Sequence, residues 1–200
     1  MRFSSLLAPL AAVLLICACN RGESRTETDT TADTIQQRDT VARPVQIGEP
    51  QILHILRTAN SVESELGDMA ATRAIDAEVR RYAQTVAADH RALNQIIDSI
   101  ATSIRMIPTD NPVSAEMRAK SDTIRADLTA RAGGDFDRAY INHDAQLHQS
   151  MLDRIDNDLM RRTQRPEILQ LMDRIRPALA AHLQMARQIQ GRFSAPQGRN

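Results

Sequence analysis

Residues 76–104 read DAEVRRYAQTVAADHRALNQIIDSIATSI. Val79, Ala83, Val86, Leu93, Ile97, Ile100 and Ile104 recur at spacings of three and four, so a helix from about Asp76 gathers them on one face and leaves arginine, aspartate and glutamine on the other. His90 falls inside that apolar stripe, on the side that turns toward other helices.

The same spacing extends outward in both directions. Upstream, Pro50 suits the first position of a helix whose face holds Ile52, Leu56, Ala59, Glu63, Leu66 and Ala70. Downstream, Pro108 to Pro112 breaks the pattern, and Asn111-Pro112 opens a shorter amphipathic helix with Met117, Ile124 and Leu128. Gly133-Gly134 ends it. Asp135 is the expected cap of the next helix, with Phe136, Tyr140, Asp144, His148, Met151, Ile155 and Leu159 facing inward. Pro166 starts the last helix, whose inner face holds Ile168, Met172, Ile175, Leu179, His182, Ala186, Ile189 and Phe193. Beyond Pro50 no stretch alternates as a strand would. The fold class is therefore all-α, a domain over 50–193 built as four long helices of roughly 25 residues, each near 40 Å, with one additional short helix. Residues 194–200 read as a disordered tail.

The head of the chain has a different character. Arg2 is followed by an apolar run from Leu6 through Ile16, shorter than the roughly 20 residues a membrane-spanning helix needs, which marks 1–18 as a secretory signal. Ile16-Cys17-Ala18-Cys19 resembles the lipobox of bacterial lipoproteins, making Cys19 the lipidation site and the new N-terminus. Several acyl chains on one cysteine make a stable anchor without a transmembrane helix. Asn20 is not the aspartate that retains such proteins at the inner membrane, which favours the periplasmic face of the outer membrane. From 19 to 49 the chain is rich in Thr, Asp, Glu and Arg and poor in aliphatics, and reads as a disordered tether. Cys17 leaves with the signal and Cys19 carries lipid, so the folded domain has no disulfide.

Across the chain 25 basic residues balance 25 acidic ones. Arginines alternate with carboxylates along the helices, the pattern of a solvated, salt-bridged face, which excludes a nucleic-acid partner. The expected partner is the membrane, reached through the lipid on Cys19, with another envelope protein or self-association also open.

Three of the five histidines, His90, His148 and His182, lie in apolar stripes on three different helices, and Glu63 does so on the first. Each lies near the middle of its helix. In an up-and-down bundle, mid-helix residues share one layer whichever way each helix runs. Burying such groups costs several kcal/mol unless they are paired or bind a metal. The layer is thus either a hydrogen-bonded network that fixes helix register or a transition-metal site, and zinc, copper and iron all accept imidazole with carboxylate. Asp144 lies one turn from His148 on the same face and is the second carboxylate of the set, whereas Asp89 points about 100° away from its neighbour His90. His54 and His143 read as surface or boundary residues. Pro177 removes a hydrogen bond inside the last helix and is the expected site of a kink just before His182. The Glu-x-x-His pairs of di-iron oxidases are missing: Ala87, Ala145 and Leu179 stand three residues before the histidines.

The order of Glu63-Ser64-Glu65-Leu66-Gly67, Tyr82-Ala83, Asp89-His90, Gly134-Asp135-Phe136-Asp137-Arg138-Ala139-Tyr140, His148, Pro177 and His182-Leu183 resembles the bacterial envelope family catalogued as domain of unknown function 4142. The resemblance covers roughly Gln51 to Gly191. It implies a ferritin-like helical bundle with a signal or lipoprotein sequence and an outer-membrane location, and it implies no activity. Asn142-His143-Asp144 departs from that family's usual pattern after the tyrosine. Three functional classes follow. A lipid-anchored bundle that binds a metal ion leads, ahead of a ferritin-like metal-dependent oxidase and a purely structural interaction module. A non-enzymatic role is favoured.

Overall fold

The computed structural model describes residues 46–194. The signal segment, Cys19, most of the tether and residues 195–200 lie outside the described residues. Five helices follow in order: α1 Glu49–Arg73, α2 Ala77–Ser103, α3 Pro112–Thr129, α4 Gly133–Asn157 and α5 Pro166–Ser194, with a short 3-10 turn Leu159–Arg162 before the last. The described residues are all-α, a ferritin-like bundle of four long helices with α3 as the shorter addition. Helix α1 packs along α2 and α4 along α5, and contacts of α1 with α4 and of α2 with α5 close the bundle.

Helix ends follow from local chemistry. The backbone N–H of Gly48 donates to Gln51 Oε1 at 3.1 Å, and Pro50 lies in the first turn, so α1 begins at Glu49, one residue before the expected start. Ile47 is buried against the core, so the folded domain takes in residues that sequence alone assigns to the tether. Asp76 Oδ1 accepts from the backbone N–H of Glu78 and Val79 at 2.8 and 3.1 Å and caps α2. The turn before it is held from α4, where buried Asp137 accepts from the backbone N–H of Ile75 and Asp76. Arg73 donates to the carbonyls of Leu128 and Arg131 at 3.1 and 2.7 Å, satisfying acceptors at the open end of α3.

Two expectations are corrected. Asp135 does not cap α4; the helix starts two residues earlier, at Gly133, whose φ of +57° reverses the chain in a conformation glycine adopts at little cost. Asp135 sits in the first turn, where a carboxylate favours the helix dipole, and pairs with Arg138. Helix α3 ends at Thr129, before the glycine pair. The second correction concerns α1, which buries more than one face: Leu53, Ile55, Thr58, Asn60, Val62 and Gly67 are covered as well. The reason is α3, which packs across α1 on the side away from α2 and turns it into a central helix. At Gly67 a Cβ would stand 3.0 Å from the Ala83 carbonyl, so the glycine permits the close approach of α1 and α2 one turn from Glu63.

The core has two apolar halves. One gathers Leu66, Val79, Val86, Phe136, Tyr140 and Ile189, and the other Ile52, Leu56, Ile97, Ile155, Ile168 and Met172. Between them, at mid-height, lies a buried polar layer.

Candidate metal centre

His90 on α2, His148 on α4 and His182 on α5 meet in that layer at 1%, 0% and 2% exposure. Their ring centroids stand 5.2–5.3 Å apart. The outer nitrogen of each ring faces an acceptor. His90 Nδ1 donates to Asn60 Oδ1 at 2.8 Å, His148 Nδ1 to the Asp144 carbonyl at 2.9 Å, and His182 Nε2 to Asp89 Oδ2 at 3.0 Å. A neutral imidazole has one N–H, so these partners fix the tautomers and leave lone pairs on His90 Nε2, His148 Nε2 and His182 Nδ1. Those three atoms converge. His148 Nε2 lies 3.3 Å from His90 Nε2 and 3.2 Å from His182 Nδ1.

Lone pairs at that separation repel unless a cation lies between them. Four nitrogens about 2.05 Å from a tetrahedral metal stand about 3.3 Å from one another, which is the spacing found here. The outer acceptors are the partners that orient metal-binding histidines and strengthen their donor character. The donor set therefore fits a transition metal that takes imidazole, such as zinc, copper or iron.

In the metal-free chain the cation is a proton. Burial lowers the His148 pKa, but the Asp144 and Glu63 carboxylates outweigh it and lift it to about 10. His90 is held well below its ordinary range by burial and by charge on His148 and His182. His182 is lowered by burial and by His148, with Asp89 opposing. Charge in the layer thus collects on His148.

The carboxylates lie on the other side of that ring. His148 Nδ1 is 3.2 Å from Asp144 Oδ2 and 3.6 Å from Glu63 Oε1. Burial raises Glu63 to about 8, with His148 opposing and Asp144 reinforcing the rise. The Tyr82 hydroxyl donates to Asp144 Oδ2 and approaches the His182 carbonyl at 3.1 Å, tying α2 to α4 and α5. The five residues Glu63, His90, Asp144, His148 and His182 are thus brought into one layer but divide across His148: three imidazoles on one side, and two carboxylates with the Nδ1 edge on the other.

His54 and His143 stay at the boundary, beside Ser114 and Asp127 respectively. Helix α5 continues through Pro177. Asn60, Tyr82 and Asp89 are site residues that the sequence reading did not include. Tyr82 carried a signal, because it lies on the apolar side of α2 and a buried tyrosine hydroxyl normally finds a partner. Asp89 does point away from His90, as its position on α2 requires, and reaches His182 on α5 instead.

A cavity of about 170 Å³ reaches the layer from the surface, with Asn60, Glu63 and His90 on its inner wall and Met117 and Lys120 of α3 among its outer residues. Of the three histidines, His90 lines it.

Fold and site together define a helical bundle with a buried three-histidine cluster at its middle. The chain belongs to the family described as Domain of unknown function (DUF4142), whose model matches residues 35–189. No curated protein matches it. Two solved structures share the fold. A DUF305 protein of Streptomyces coelicolor has a TM-score of 0.61 at 12% identity, over 75% of this chain and 96% of that one. A DUF305 fragment from Deinococcus radiodurans has a TM-score of 0.59 at 16% identity, over 72% of this chain and 98% of that one.

Proposed function

We propose that this chain is a lipid-anchored protein of the cell envelope whose bundle binds one divalent transition-metal ion through His90 Nε2, His148 Nε2 and His182 Nδ1. One observation carries the binding: three imidazole lone pairs converge at the edge length of a coordination tetrahedron while each outer nitrogen is held by an acceptor. Three protein nitrogens leave one coordination position for water or another donor. The bound ion would supply positive charge and Lewis acidity in a site walled by apolar halves. The reading is one of binding, and no reaction is assigned.

Adding zinc to the metal-free chain is expected to raise its melting temperature, since an ion that binds only the folded state stabilises it by about 2.7 kcal/mol at 100 times its dissociation constant. His148→Ala is expected to remove most of that gain. An equal zinc response in the parent and in His90→Ala, His148→Ala and His182→Ala chains would overturn the metal site and leave a helical interaction module.

The anchor rests on the lipobox-like Ile16-Cys17-Ala18-Cys19. Among the described residues no helix is long and apolar enough to cross a membrane. An envelope location is also in keeping with the Streptomyces coelicolor relative, which is named as a secreted protein. The periplasmic face of the outer membrane is the proposed site. Cys19→Ser is expected to move the chain from membranes into the soluble envelope fraction; its continued sedimentation with membranes after a high-salt wash would rule out the lipid anchor.

A further inference from the structure

The carboxylate side of His148 has a geometry that hydrogen bonding accounts for only in part. Glu63 Oε1 stands 3.6 Å from His148 Nδ1, beyond hydrogen-bonding range, and Asp144 Oδ2 stands 3.2 Å from the same nitrogen. Around a tetrahedral cation with bonds to nitrogen and oxygen of about 2.0–2.2 Å, neighbouring donor atoms are about 3.4 Å apart, a value the two distances bracket. Three oxygens in the same place have no hydrogen-bond partner although fully buried: Glu63 Oε2, Asp144 Oδ1 and the Tyr140 hydroxyl. Among the described residues no lysine or arginine forms an ion pair with either carboxylate. Among the described residues the two buried carboxylates share His148 as their one basic neighbour and keep lone pairs on Glu63 Oε2 and Asp144 Oδ1 unused.

We infer that Glu63, Asp144 and His148 Nδ1 form a second divalent-cation site, so that His148 bridges two metal ions, one on each ring nitrogen. The inference rests on the three-imidazole reading, because His148 is common to both sites. The second ion takes the Nδ1 lone pair and a Glu63 oxygen, and both the proton that Nδ1 now donates to the Asp144 carbonyl and the proton held on the Glu63 carboxyl are released to solvent. His148 becomes an imidazolate and no electron is transferred. Two carboxylate oxygens and a nitrogen suit a borderline divalent ion, with zinc and copper as the natural probes. Entry has a path, since Glu63 lines the same cavity that reaches His90.

The test is metal stoichiometry on the full chain, stripped with chelator and reloaded with zinc. Two zinc ions per chain are expected, falling to one in the Glu63→Gln, Asp144→Asn double variant. Copper gives a readout that needs no variant: two Cu(II) ions joined by an imidazolate couple magnetically, so the EPR intensity should fall well below that of two independent spins. A parent chain that binds one zinc, retained in the double variant, would overturn the second site and leave the three-imidazole site standing. Two coppers with undiminished, independent spectra would overturn the bridge. Failure to bind zinc or copper at all would overturn both readings.

Discussion

The apolar halves of the bundle and the layer between them are equally buried, but they contribute to the fold in different ways. In the halves, Ile52, Ile97, Ile155 and Ile168 are fully covered, and burial of each such side chain stabilises by about 1.5–3 kcal/mol whatever ions are in solution. The layer holds Asn60, Glu63, His90, Asp144, His148 and His182, whose removal from water is unfavourable until each finds a partner. Its partners come from four helices, and Asn60 Nδ2 joins the buried oxygens of Glu63, Asp144 and Tyr140 in having none. The difference teaches that the halves set how stable the bundle is, while the layer sets which ligand its stability responds to.

That division is open to direct attack. Ile168→Ala, in the half assembled from the start of α5, is expected to cost about 2–5 kcal/mol in denaturant melts, equally with and without zinc. A loss that zinc cancels would show that the halves and the layer are not separate.

A second effect on Tm is expected from pH. Glu63 is raised from 4.5 to about 8 in the fold, so the folded chain holds a proton there that the unfolded chain releases, and stability falls as pH rises across that window. His148 is raised from 6.5 to about 10, so its contribution is complete below 6.5 and is lost as pH climbs through 10. His90 and His182, lowered in the fold, act in the opposite sense only below 6.5, so above that value the two signs agree and the metal-free chain weakens from neutral to alkaline pH. Zinc competes with the same protons, so its stabilising effect should grow over that range. A zinc-induced Tm shift independent of pH would place the ion elsewhere.

The smallest effect sharpens the contrast between buried and boundary histidines. His143 Nε2 lies 2.9 Å from Asp127 Oδ2 at a partly exposed position, and Arg131 first, then His143, hold the Asp127 carboxyl down at about 2. His143→Ala is expected to leave the melting temperature and the zinc response nearly unchanged, as loss of a surface ion pair usually does. Loss of that response would mean that α4 presents a different face to the layer.

How much of this was legible beforehand varies along the chain. Apolar spacing located every long helix, and Asp76 marked the start of α2. Helix starts were less secure where the turn is made by backbone conformation: Gly133 at positive φ, not the Asp135 side chain, begins α4. The burial of α1 on more than one side was invisible, because its own stripe does not reveal that α3 will cover Thr58 and Val62 from outside.

The sequence by itself determined that His90, His148 and His182 share a buried layer with Glu63 and Asp144, because a period of 3.6 residues fixes the face each occupies and mid-helix position fixes its height. Tertiary structure alone decided which nitrogens converge. Ring orientation is set by side-chain torsions and by partners on other helices, such as Asn60 for His90 and Asp89 for His182, and those contacts span 30 and 93 residues of chain. No local periodicity encodes a contact made across the bundle, so the separation of imidazoles from carboxylates on opposite edges of His148 had to await the packed helices.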